Sequence, residues 1–176
     1  MKKILFAVAI LSAAAVNAQQ DKKDPTLKSI LLEQLRTTHN VKDWFVPVNI
    51  ALEGVTPGQA KWKDGSGNHS IGQLASHLIF WNTQQLAKFK DEKPPVYTSN
   101  DETFNSFDDA NWKVTVQRLD SVLTAWEKVI EAADETKLKT WYSAIAHIGA
   151  HNAYHTGQII FIRKLQGSWD PEKGVK

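Results

Sequence analysis

Apolar residues recur every three to four positions in four stretches of this 176-residue chain, the period of a helix that buries one face. Leu27, Ile30, Leu31, Leu35, Thr38, Val41 and Phe45 form the first stripe. Asp24-Pro25 predicts its start, an acidic cap followed by Pro at the first helical position. Pro47 breaks it before a short turn over Val48 to Leu52, and Gly54 to Asn68 reads as a loop. Ser70-Ile71-Gly72-Gln73 is a capping box, Ser at the cap with Gln three residues on. It opens a second helix with Ile71, Leu74, Ala75, Leu78, Ile79, Leu86 and Phe89 on its apolar face, and Pro94-Pro95 is expected to stop it. A polar loop over 93–107 leads to Asp108-Asp109, the expected start of a third helix that turns Trp112, Val116, Leu119, Leu123, Trp126 and Ile130 inward. The fourth helix is expected from Thr140-Trp141 to Gln166, with Gly167 as its stop. No stretch shows a strand pattern, so the expected fold is all-α, an up-and-down four-helix bundle.

The first 18 residues follow a different pattern. Met1-Lys2-Lys3 is a basic start, Ile4 to Val16 is an apolar run of 13 residues, and Val16-Asn17-Ala18 offers compact residues for cleavage after Ala18. Thirteen apolar residues fall short of the roughly 20 that span a bilayer. A cleaved signal peptide over 1–18 is therefore expected, with a linker over 19–24, the bundle over 25–167 and a tail over 168–176. The short leader has a bacterial look, so the mature protein is expected in the periplasm or outside the cell, with no membrane association after cleavage. Lys2 and Lys3 lie in the leader and supply the whole formal charge of +2. The mature chain is formally neutral, which argues against a nucleic acid partner. Cysteine is absent, excluding disulfides, thiolate metal sites and a Cys nucleophile.

Histidine carries the remaining chemistry. His147, His151 and His155 lie four apart on the fourth helix, so neighbours differ by only about 40° around the axis. The inward stripe there reads Ala144, Ile148, His151, His155, Ile159 and Ile162, which puts His151 and His155 where Leu or Ile is expected. Two imidazoles in a core stripe need partners, and one metal ion satisfies both. His147 and His155 are about 12 Å apart along the axis, too far to share that ion. A third ligand has to come from another helix, and His77, between Leu74 and Leu78, is the best placed. Three neutral His ligands with a water describe an open, catalytic-type site. The alternative is three unrelated histidines in polar networks. Gln158, three residues beyond His155, faces the same way and either orients a ligand or lies on the surface. Trp81 and Tyr154 either line the site or belong to the core. His39 reads as a surface or edge residue, His69 as a loop residue and Asp108-Asp109 as a helix cap.

Two segments resemble the signatures of the DinB-like (DinB/YfiT) superfamily. They are Ser70-Ile71-Gly72-Gln73-Leu74-Ala75-Ser76-His77-Leu78 and His151-Asn152-Ala153-Tyr154-His155-Thr156-Gly157-Gln158-Ile159. Ala51-Leu52-Glu53-Gly54-Val55-Thr56, with Trp62 after it, is similar too, and the resemblance covers residues 25–167. It implies a four-helix bundle of unusual helix order, with a divalent metal ion, zinc or nickel-like, at one end. Carried over residue by residue, the ligands are His77, His151 and His155, while His147 matches a position that is often His without being a ligand. The family includes thiol-dependent S-transferases and an isomerase. Homodimers are implied as well, and seven Trp exceed what a small bundle is expected to bury.

Asn152 follows the first ligand of the fourth helix, where relatives often carry Glu or Asp. Asn cannot take a proton, so a zinc-protease mechanism is excluded. Three readings remain at this stage. The first is an exported metal-dependent hydrolase or thiol S-transferase acting on an unknown small molecule. The second is a metal- or small-ligand-binding module without turnover. The third is a helical scaffold whose histidines are vestigial.

Overall fold

A computed structural model describes residues 24–175. The expected signal peptide and its cleavage site lie outside the described residues. Those residues form six α-helices and no strand: α1 Leu27–His39, α2 Val48–Leu52, α3 Pro57–Lys61, α4 Ile71–Phe89, α5 Trp112–Ala132 and α6 Glu135–Leu165. The four long ones make the all-α bundle. α1 packs against α5 and α6, and α4 packs against the same two, so α1 faces α4 across one diagonal and α5 faces α6 across the other. Among the described residues no helix is long and apolar enough to cross a membrane.

Local chemistry moves several expected boundaries. α1 starts at Thr26 rather than Asp24-Pro25, because the Thr26 hydroxyl accepts from the Ser29 N–H at 3.1 Å. It ends at His39, so Val41 and Phe45 lie beyond it, and Leu27 and Ile30 are exposed. The expected loop over Gly54 to Asn68 contains α3, which has its own capping box between Thr56 and Gln59. α4 stops at Phe89, before Pro94-Pro95, where Asp91 takes a φ of 59°. Asp108 caps a 3-10 turn over Asp109–Asn111 rather than α5 itself. α6 starts at Glu135, not near Thr140, because the Asp134 carboxylate caps it by accepting from the Lys137 N–H at 2.8 Å.

Burial divides into two apolar clusters. One gathers α2, α3, the first half of α4 and the last turns of α6 around Leu78, Leu119 and Ile159. The other gathers α1 and the opposite half of the bundle around Trp126, Ile130 and Ile145. A polar layer lies between them. Asn82 and Asn152 exchange side-chain hydrogen bonds at 2.8 and 3.4 Å, and the Trp126 indole N–H donates to the Asn82 carbonyl at 3.1 Å. Asn152 is thus a buried link from α6 to α4, and Ala144, expected inward, is only half-buried. Asn152→Ala leaves the Asn82 amide short of a partner and is expected to cost about 1–3 kcal/mol, read as a fall in the urea midpoint. A change below about 0.5 kcal/mol would show that the pair adds nothing.

His39 corrects the sequence reading most. It is buried, not at the surface, and bridges two carboxylates of α5. Its Nε2 lies 3.0 Å from Asp120 Oδ1 and its Nδ1 2.6 Å from Glu127 Oε1. An isolated His on a helix gives no sign of partners that arrive from a helix about 80 residues on.

Candidate metal centre

The polar layer continues into three histidines. His77 stands on α4, and His151 and His155 stand one turn apart on α6, between Ile148 of one apolar cluster and Ile159 of the other. They form one group whose potential ligand atoms all lie within 4.8 Å of one another. His151 Nε2 is 3.2 Å from His77 Nε2 and 3.0 Å from His155 Nε2. His77 and His155 are buried, and His151 is half-buried. The site therefore lies where the two clusters meet.

Hydrogen bonding on the far side of two of the rings sets which nitrogen carries the proton. Thr103 Oγ1 donates its only proton to the Asn100 carbonyl at 2.6 Å, so it accepts from His77 Nδ1 at 2.5 Å. His77 Nε2 is left with a bare lone pair. Gln158 Oε1 accepts from His155 Nδ1 at 2.6 Å, with the same result at His155 Nε2. A ring has one proton to give when neutral, so His151 can satisfy at most one of the two facing nitrogens. Burial first, then the neighbouring His155, His151 and His69, pushes the His77 pKa down to about 3. Burial and then His155 push His151 down to about 4. Burial lowers His155 too, against the upward pull of Gln158. Neutral rings with converging lone pairs are a donor set for a cation, and the donors fit a divalent ion.

The other sequence candidates separate clearly. His147 is exposed and donates from Nδ1 to the Ser143 carbonyl at 2.7 Å; it is not in the triad. Gln158 holds His155 rather than lying idle on the surface. Trp81 meets His77 edge-on at 6.3 Å between centroids, and exposed Tyr154 packs beside His155 at 5.0 Å. His69 is a loop residue with a definite role: it stacks on Phe104 at 3.7 Å, and Phe104 stacks on His77 at 3.9 Å. Sequence reading missed Thr103 and Phe104, which sit on a 3-10 turn over Asn100–Phe104 inside the expected polar loop. The one signal was Phe104, an aromatic residue directly after Thr103 in a mostly polar stretch.

A cavity of about 640 Å³ opens beside the three rings, bordered by Trp81, Gln85, Phe104, His147 and Ile148. Comparison with known proteins agrees with the signature segments. A family model described as the DinB superfamily matches residues 48–159, which takes in all three histidines. No curated protein and no solved structure matches the chain.

Proposed function

The chain belongs to the DinB superfamily, and from that premise we propose that it holds one divalent ion on His77, His151 and His155 and uses it on a small molecule in the adjoining cavity. One observation carries the reading: two histidines have their Nδ1 protons tied down, so their Nε2 lone pairs converge with His151 on one point. Neutral imidazole donors suit zinc or a nickel-like ion. Such an ion supplies Lewis acidity to a substrate oxygen or sulfur. The chain does the rest: Thr103 and Gln158 fix the rings, and Trp81 and Ile148 give the cavity beside them an apolar wall. Hydrolysis and thiol transfer both fit three protein donors beside an open cavity.

A binding module without turnover is the second reading. It is favoured by the absence of any carboxylate among the described residues of the cavity and by Asn152, whose amide is spent on Asn82. Turnover of ester or thiol-transfer test substrates that is lost in His155→Ala separates the two, and cobalt-loaded protein shows whether the site is open at all. If the site is catalytic, added azide or a small thiol shifts the visible cobalt spectrum. A spectrum indifferent to both marks a closed, structural site and ends the enzyme reading.

The reading includes export, supported by the leader pattern of residues 1–18, and a homodimer. An exposed seam on α6 supports the dimer: His147, Ala150, Tyr154, Gly157 and Phe161 alternate at spacings of three and four. Antiparallel pairing of two copies sets Tyr154 against Gly157 and Phe161 against Ala150, large against small. A native mass spectrum of protein from its own host is expected to give twice the mass of a chain beginning at Gln19. A monomer mass, or a chain retaining Met1, counts against the corresponding half of this statement.

A further inference from the structure

Among the described residues, the wall of the cavity beside the histidines contains no Asp, Glu, Lys or Arg. Trp81, Ile148 and Ala144 give it an apolar surface, and Phe104 borders it too. Both faces of Phe104 are taken, one by His69 and one by His77, so only its edge is free. The uncharged polar groups are few. The Asn82 amide is spent on the Leu78 carbonyl and Asn152. The Gln85 NH₂ group donates one proton to Gln84 at 3.1 Å, and Gln85 Oε1 accepts from no donor among the described residues. A second cavity nearby, of about 410 Å³, differs in being bordered by Lys63 and Asp64.

Apart from the ion the three histidines hold and the imidazole of His147, whose Nδ1 is spent on the Ser143 carbonyl, a ligand in the first cavity finds no Lys or Arg among the described residues to pair with an anionic group. A second charge along its body would meet apolar walls and no counter-ion, which is unfavourable. We propose that this cavity selects a molecule with one metal-binding end and an uncharged, flat, apolar body whose N–H or O–H group reaches Gln85. It discriminates against low-molecular-weight thiols that carry carboxylates. This inference rests on the metal reading above and narrows it, since a thiol co-substrate would have to be a neutral one.

The test uses two probes of nearly the same shape, neutral 4-(mercaptomethyl)benzamide and 4-(mercaptomethyl)benzoic acid, which is anionic at neutral pH. Titrated into cobalt-loaded protein and followed by the cobalt–thiolate absorption, the amide is expected to bind at least about tenfold more tightly than the acid. Gln85→Lys is expected to close that gap by strengthening binding of the acid. Ala144→Trp fills the cavity and is expected to weaken both probes with metal content unchanged. Equal or tighter binding of the acid by the unmodified protein overturns the proposal and leaves the metal reading intact. Should the protein take up no cobalt, the metal reading fails, and the selectivity is read on the metal-free chain. There, quenching of Trp fluorescence by 4-methylbenzyl alcohol but not by 4-(hydroxymethyl)benzoate, absent in Trp81→Phe, supports the neutral cavity. Equal quenching by both refutes it.

Discussion

His77→Ala, His151→Ala and His155→Ala are each expected to weaken divalent-metal binding by more than about 100-fold, the upper end of what loss of a mere supporting group costs. His147→Ala is expected to leave affinity within about threefold, because that ring is turned toward the Ser143 carbonyl and stands outside the triad. Competition against a chromophoric chelator measures all four. If His147→Ala loses metal as severely as the others, the ligand set is wrong. The same rings set a pH dependence in protein stripped of metal. An unfolded chain takes up protons at its histidines near the ordinary value of 6.5, whereas folded His77 and His151 resist until about 3 and 4. Between those limits the unfolded state binds more protons, so stability falls as pH drops from 6.5 toward 4 and gains nothing from these groups above 6.5. Urea midpoints of the chelator-treated protein at pH 7 and pH 5 check the sign, and His151→Leu is expected to shrink the difference.

Thr103→Val and Gln158→Leu are expected to weaken metal binding by about 10- to 100-fold without touching the ion. Each removes the acceptor that keeps a proton on Nδ1 and a lone pair on Nε2. Without it the ring is free to change tautomer or rotate, and part of the population presents an N–H toward the site. Thr103→Ser and Gln158→Glu retain an acceptor and are expected to restore most of the affinity. That rescue separates an orienting role from a packing one, because Val and Leu preserve volume better than Ser does. If the acceptor-retaining variants are as weak as the apolar ones, the tautomer argument is wrong.

How much of this was legible beforehand depended on the range over which the determining contacts act. The all-α class and the α4 start were readable because periodicity and the Ser70–Gln73 capping box act within one turn. The pairing of His151 with His155 was readable for the same reason, being a property of one helix. The start of α6 was missed because Leu138 is the only fully buried residue of its first two turns, so the stripe there is too sparse to read. Thr103 and His39 were beyond reach for a different reason. Each takes its meaning from a partner on another element, His77 in one case and Asp120 with Glu127 in the other, and nothing local encodes that meeting. His77 was found because an imidazole beside an apolar stripe needs an explanation, and a shared ion gave one. Asn152 showed the limit of reasoning by position along the chain: adjacent to His151 in sequence, it points to Asn82 and spends its amide there.

X-ray absorption at the metal edge of the zinc- or nickel-loaded protein reads the three-histidine donor set itself. Multiple-scattering features of three imidazoles are expected, with nitrogen donors at about 2.0–2.1 Å if the ion is zinc, and features of only two in whatever metal His77→Ala still holds at high loading. A first sphere of oxygen donors without imidazole features, or a spectrum unchanged by His77→Ala, would contradict it.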